Sequence, residues 1–215
     1  MARYTFFYNP MSRAQIARWA LHEVEADYDS TFVAWDDKPP ALLEANAMGK
    51  LPTIIHHTPE GDLVVSEAAA VCHYLAEAEG SELLPRPGEK ADYFRWLFFA
   101  AGPLEAAVTA KAYGWTVPAE REVAVGFGSF DRAVDALGGW LGARRYVCGD
   151  RFTMADVYVG SQVDWGLHFG TLPARPGLEA YAERVRARDA YRAAKAIDMG
   201  MIEKMQAAQT RSEGT

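Results

Sequence analysis

A mixed α/β domain followed by an all-helical one is the architecture that this 215-residue sequence predicts. Three observations predict it. The first 80 residues read as strand–helix–strand, a linking segment, then strand–strand–helix. Leu84-Pro85-Arg86-Pro87-Gly88 then interrupts the chain, Pro and Gly being the strongest local breakers of regular structure. After that interruption almost every segment has helical spacing, with apolar residues recurring every three or four positions.

Arg3 to Tyr8 reads as a short buried strand, broken by Asn9-Pro10-Met11. A helix follows from about Ser12 to Glu25, with Ile16, Ala17, Ala20, Leu21 and Val24 on one face. Tyr28 to Val33 is a second strand, Asp36-Asp37-Lys38-Pro39-Pro40 a loop, and Ala41 to Asn46 a short helix. Thr53 to His56 and Leu63 to Val65 are strands of a hairpin turning at Pro59-Glu60-Gly61-Asp62. Ser66 to Ala78 is a helix with Val71, Tyr74 and Leu75 inward. A βαβ start implies a parallel pair with a right-handed crossover, and the hairpin adds an antiparallel strand. This is a thioredoxin-like order.

In the second half the helical segments are 89–113, 119–142, 153–168, 177–188 and 190–205. Turn-type stretches such as Trp115-Thr116-Val117-Pro118 and Arg175-Pro176-Gly177 separate them. The expected divisions are an α/β domain over 1–80, a linker over 81–88, an all-helical bundle over 89–205 and a flexible polar tail over 206–215. Phe152-Thr153-Met154-Ala155-Asp156-Val157 has the form of a capping box, with Asp in place of Glu and Phe152 and Val157 as a hydrophobic staple. Thr153 and Asp156 are therefore folding residues.

Composition narrows the function classes. Half of the residues are apolar, which allows a sizeable core. A net charge of -7 and a pI near 5.3 disfavour non-specific binding to nucleic acid or anionic lipid. No apolar run approaches the roughly 18 residues of a membrane span. The N-terminus leads directly into a strand-like run without a signal pattern, so the expected compartment is the cytoplasm. Cys72 and Cys148 form no metal-type spacing, and His56 and His57 fall on opposite faces of a strand. No metal is expected.

Two stretches carry the functional signal. Gly49-Lys50-Leu51-Pro52-Thr53-Ile54-Ile55 reads as a loop whose X-Pro bond enters a strand. A cis Leu51–Pro52 bond would turn the backbone N–H and C=O of Leu51 outward, toward an extended peptide. Ser66-Glu67-Ala68 places a carboxylate and backbone N–H groups at a helix N-terminus, the end that attracts anions. A ligand with a peptide-like backbone, a free carboxylate and a free ammonium suits both, and glutathione is such a ligand.

Along nearly its whole length the chain resembles a cytosolic glutathione transferase. The resemblance rests on the α/β domain, linker and helical domain in order, on Lys50-Leu51-Pro52, on the Glu67-Ala68 pair and on the box at Thr153. Asn9-Pro10-Met11-Ser12-Arg13-Ala14, followed by Ile16 and Trp19, looks most like bacterial members, including the chi-like group. The resemblance implies that Leu51 pairs through its backbone with the cysteinyl part of glutathione and that Pro52 is cis. It implies that Glu67 holds the γ-glutamyl ammonium, that the N–H of Ala68 holds the adjoining carboxylate, and that Lys50 faces the glycyl carboxylate. The family usually has serine where this chain has Ala68, so one side-chain hydrogen bond is missing.

A free thiol has a pKa near 8.5, and lowering it by about two units takes roughly 2.7 kcal/mol of anion stabilisation. In the family the stabilising group follows the first strand. Tyr8, Asn9, Ser12 and Arg13 compete for that role here. Ser12 offers a hydroxyl, Arg13 a full positive charge, Asn9 an amide N–H, and Tyr8 a phenol slightly early in the sequence. Tyr113 and Trp115, near the end of the first long helix of the second domain, are the chosen walls of a pocket for an apolar electrophile, and Trp35 flanks the glutathione site. The implied activity is conjugation of glutathione to hydrophobic electrophiles, with peroxide reduction beside it. Glutathione would be a co-substrate, the protein a homodimer, and neither nucleic acid nor membrane a partner. The rival readings are a glutathione-dependent isomerase or dehalogenase and a non-catalytic binding or regulatory protein on the same scaffold.

Overall fold

The structure is a computed structural model that describes residues 2–213. Gly214 and Thr215, the end of the expected tail, lie outside the described residues. The chain divides into two compact units. One runs to Ser81 and resumes at Ala187, and the other is Glu82–Arg186. An α/β sheet unit and a helical unit are thus both present.

The first unit is built on a four-stranded sheet in the order β2-β1-β3-β4. Its strands are β1 (Tyr4–Tyr8), β2 (Tyr28–Phe32), β3 (Thr53–Thr58) and β4 (Gly61–Ser66). β1 and β2 are parallel, as the intervening helix α1 (Ala14–Glu23) requires, and β3 is antiparallel to both β1 and β4. Period-2 alternation sends Tyr4, Phe6 and Tyr8 to one face, where all three are buried. From α1, Ile16, Ala17, Ala20 and Leu21 are buried as well. The opposite face holds Phe7, Val33 and Leu42, with Leu51 and Ile55 packed against them. Leu42 belongs to the short helix α2 (Pro40–Ala45), which has proline in its first turn. α3 (Ala68–Ala78) buries Val71, Cys72 and Leu75.

In the second unit α4 (Lys90–Phe99) and α5 (Glu105–Ala112) are joined by a π-helical turn at Ala100–Leu104. Pro103 lies inside that turn. It has no N–H to give, and the wider turn takes the ring that a regular turn would clash with. The sequence predicts one helix over 119–142, but the structure has a 3₁₀ segment at Ala119–Ala124 and then α6 (Phe130–Gly142). Gly128 at φ +63° ends the intervening loop, a conformation glycine adopts at no steric cost. Ser129 then starts α6 by accepting a hydrogen bond from the N–H of Arg132. α7 (Met154–His168) and α8 (Pro176–Arg186) complete this unit.

The capping box starts α7. Thr153 N–H donates to Asp156 at 2.9 Å, and Asp156 also accepts from Val147 N–H at 2.8 Å and Tyr181 O–H at 2.9 Å. Burial pushes the Asp156 carboxyl up to about 6 against these four donors, the Thr153 hydroxyl being the fourth. The last helix, α9 (Asp189–Glu213), returns to the first unit. It packs on α1, where Tyr191 meets Trp19 edge-on at 5.0 Å and Arg188 pairs with Glu23.

Candidate functional site

Strand register brings the expected site residues to one end of the sheet. Phe7 pairs with Thr53, Thr53 with Ser66, and Tyr8 with Phe32. The exit of β1, the entry of β3 and the exit of β4 are therefore side by side. The segments leaving that end are 9–13, 49–52 and 66–68, and each contains residues that the sequence singles out.

The first segment is a tight polar turn. Asn9 is fully buried: its Nδ2 donates to Val33 O at 2.9 Å, and its Oδ1 accepts from Met11 N–H at 2.9 Å. Its side chain thus holds the turn together. Ser12 Oγ donates to Asn9 O at 2.7 Å and accepts from Ala14 N–H at 3.1 Å, tying the turn to the first residue of α1, whose N-cap is Arg13. Ser12 is half-buried and Arg13 is exposed. Tyr8 is buried, with the Arg18 guanidinium 4.3 Å from its ring centre.

The second segment has the cis Leu51–Pro52 bond that its sequence predicts. Lys50 O is fixed by Thr53 Oγ1 at 2.8 Å and by Asn46 Nδ2 at 3.3 Å. Gly49 has φ +57°, and a Cβ there would sit 3.0 Å from both Leu43 and Lys38 side-chain carbons, with Lys38 Nζ at 3.1 Å. Only glycine suits both the angle and the space. Lys38 is a cation over this turn that the sequence reading passed over as part of a loop. No local pattern marks it, because the approach comes from packing across ten residues. Lys50 itself is exposed.

The third segment carries an unusual backbone. Glu67 has φ +68° and ψ 116° and stands at the N-cap of α3, yet its side chain makes no capping bond. Positive φ in a non-glycine residue costs on the order of 1–3 kcal/mol and clusters at ligand sites. The Glu67 side chain is exposed and Ala68 is buried. α3 thus starts with an exposed residue whose carboxylate makes no capping bond to the helix it opens.

Trp35, in the segment that leaves β2 at this same end of the sheet, is exposed. Tyr113 and Trp115 lie in the other unit, just past α5, stacked at 5.5 Å and exposed by 73 % and 65 %. Trp115 lines a cavity of about 310 Å³ whose other walls include Ala110, Lys111, Phe127 and Phe130. Tyr113 does not line it. Cys72 is fully buried, and burial pushes the Cys148 thiol up to about 12. Neither is a reactive thiolate. Among the described residues no cluster of three or more His, Cys, Asp or Glu is placed to hold a metal, and no helix is long and apolar enough to cross a membrane.

Comparison with known proteins identifies the family of both halves of the chain. Residues 10–78 match the family described as glutathione S-transferase, N-terminal domain, and residues 101–189 match glutathione S-transferase, C-terminal domain. The chain is 29% identical over 153 residues to a probable elongation factor 1-gamma 1 of Arabidopsis thaliana, covering 66% of this chain and 35% of that protein. The chain therefore spans about a third of that relative's length. It is 26% identical over 189 residues to glutathione S-transferase F13 of the same plant, covering 80% and 84%. Among solved structures it is similar to the theta class glutathione S-transferase of Xanthomonas axonopodis pv. citri with glutathione bound. That match has a TM-score of 0.68 and 25% identity over 90% of this chain and 97% of that one.

Proposed function

The chain belongs to the glutathione S-transferase superfamily, and from that premise we propose that it binds glutathione, ionises its thiol and conjugates it to small hydrophobic electrophiles. The observation that carries the reading is the convergence of segments 9–13, 49–52 and 66–68 at one end of the sheet through the Phe7–Thr53–Ser66 register. A tripeptide laid across that end meets three kinds of group at once. Leu51 offers backbone N–H and C=O to the cysteinyl residue. Glu67 offers a carboxylate to the γ-glutamyl ammonium, beside α3 N–H groups for the carboxylate. Lys38 and Lys50 offer cations at the glycyl end.

The sulfur then falls at the β1–α1 turn. The chemistry there is proximity plus stabilisation of the anion. Asn9 already gives its side chain to the turn, so activation falls to Ser12 or Arg13. Ser12 must turn its proton from Asn9 O to the sulfur, whereas Arg13 acts by charge. An Arg13 activator is the reading that goes with a bacterial, chi-like member. Tyr8, Trp35, Tyr113 and Trp115 serve the electrophile, and a cytoplasmic homodimer completes the proposal. Peroxide reduction uses the same thiolate.

Retention on immobilised glutathione followed by turnover of a generic aryl halide tests this directly. Retention with turnover is the expected result. Retention without turnover supports the non-catalytic reading, which draws on the absent serine at position 68, and absence of retention overturns the site. Ser12→Ala and Arg13→Met separate the activators: the true one raises the pH at which the bound thiol ionises, and the other leaves it in place.

A further inference from the structure

Arg18 in α1 is 2 % exposed and Asp198 in α9 is 1 % exposed. They meet through one bond, Nε to Oδ1 at 2.9 Å. Arg18 Nη2 and Asp198 Oδ2 are buried and hydrogen-bonded to nothing among the described residues. A pair selected for stability is expected to be bidentate and fully satisfied. Taking two charges out of water for one contact is a poor way to stabilise a fold.

The surroundings of the cation point to another use. Its carbon lies 4.3 Å from the ring centre of Tyr8, 5.1 Å from that of Phe6 and 6.0 Å from that of Tyr28. Nη1 donates to Tyr28 Oη at 3.2 Å, and that hydroxyl also meets His22 Nε2 at 3.1 Å. Burial and then the Arg18 charge hold His22 below the ordinary imidazole range, so it adds no charge near neutral pH. From α9, Lys195 bonds Gln15 Oε1 at 2.6 Å and acts on the Asp198 side. Arg18 is thus the cation packed against Tyr8, the last residue of β1, and the chain then enters the turn at 9–13. In a water-poor interior a charge acts over distances at which water would screen it.

We infer that Arg18 is a positioning residue for the glutathione sulfur anion: held beneath Tyr8 by Asp198 of the terminal helix, it lends positive potential to the β1–α1 turn without touching the ligand. The inference rests on the glutathione reading above. It makes a prediction of sign. Removing the cation raises the pH at which the bound thiol ionises. Removing only its counter-charge leaves the cation uncompensated and lowers that pH. A merely structural pair gives no such opposition, because breaking it from either side loosens the same contact.

The test compares wild type, Arg18→Met, Asp198→Asn and the double variant Arg18→Met/Asp198→Leu, the last because buried pairs tolerate apolar replacement. Thiolate absorbance of bound glutathione is followed against pH, with glutathione affinity measured by calorimetry. The expected midpoint rises by about half a unit to one unit in Arg18→Met, rises by less in the double variant, which loses the opposing Asp198 charge as well, and falls in Asp198→Asn. Unshifted midpoints, or shifts of one sign in both single variants, with glutathione still bound, overturn this inference alone. A wild-type protein that binds no glutathione overturns the glutathione reading and the inference with it. If Arg18→Met does not fold, the folded double variant and Asp198→Asn decide the sign between them.

Discussion

α7 begins with an acid that bonds back to its own N-terminus, whereas α3 begins with an acid that makes no such bond. Asp156 is fully buried and accepts from Thr153 N–H, Val147 N–H and Tyr181 O–H. Glu67 is exposed, caps nothing and sits at φ +68°. A helix N-terminus has orphan N–H groups that something must satisfy. At α7 the protein satisfies them internally and closes the site. At α3 the N-cap side chain leaves them unsatisfied and the residue is strained, which is the arrangement the proposed glutathione site calls for.

The largest effect is expected where the start is closed. Asp156→Ala leaves four buried donors, the Thr153 hydroxyl included, without their acceptor, each costing about 1–3 kcal/mol. A loss of about 4 kcal/mol is expected, read as a lower denaturant midpoint. A loss below about 1 kcal/mol, the size of an ordinary cap, would show that the box holds up only its own helix end. At the open start the order of effects reverses. Glu67→Gly is expected to stabilise the fold by about 1 kcal/mol, since glycine carries no penalty at this φ. The same change is expected to weaken glutathione about tenfold or more through loss of a charge-assisted bond. Calorimetry and denaturation on one sample check both signs, and a loss of stability would mean that the Glu67 carboxylate serves the fold after all.

How much of this was legible depends on the range of the interaction. Leu51–Pro52, Glu67-Ala68 and Thr153–Asp156 are local patterns: the structure has the cis bond, starts α3 at Ala68 and forms the capping box. The sheet order follows from the strand–helix–strand start and the hairpin. The break in 119–142 was only half legible: Gly126-Phe127-Gly128-Ser129 marks a turn, but the flanking residues keep helical spacing. Lys38 over Gly49 was not legible, nor was Asp198 against Arg18, 180 positions apart. Nothing in α9's own pattern says that α1 is its partner. The choice between Ser12 and Arg13 is open for another reason. Ser12 has a sufficient folding role in the same turn, so its presence carries little information about the sulfur.

A smaller effect sharpens the contrast at α3 itself. Ala68 stands where the resemblance leads one to expect serine, and it is the first residue of α3. Ala68→Ser adds one donor at the proposed carboxylate position and is expected to tighten glutathione about three- to tenfold, the worth of one neutral hydrogen bond. Equal affinities in calorimetry would mean that the ligand carboxylate does not reach α3.

The smallest effect lies at the far end of β3, which is closed where the Thr53 end is open. His56 is buried there between Arg3 and Tyr74: Arg3 Nε donates to its Nε2 at 3.0 Å, and its Nδ1 meets Tyr74 Oη at 2.8 Å. Arg3 also binds Glu79, which accepts from Tyr4 Oη. Because Nε2 accepts from a cation, the ring is neutral, with its proton on Nδ1. Burial first and the Arg3 charge second hold His56 below the ordinary imidazole value of about 6.5. The folded state therefore binds a proton at His56 less readily than the unfolded chain. The stability this contributes is fully present above about pH 6.5 and is lost as pH falls through the folded value. His56→Gln keeps an acceptor for Arg3 and a donor for Tyr74 and removes the titration. Its stability is expected to fall less steeply than that of wild type between pH 6.5 and 5, a span set by the unfolded imidazole and the downward direction of the shift. Parallel curves over that span would mean that the closed end yields to protonation at no cost, and that Arg3 moves aside instead of resisting.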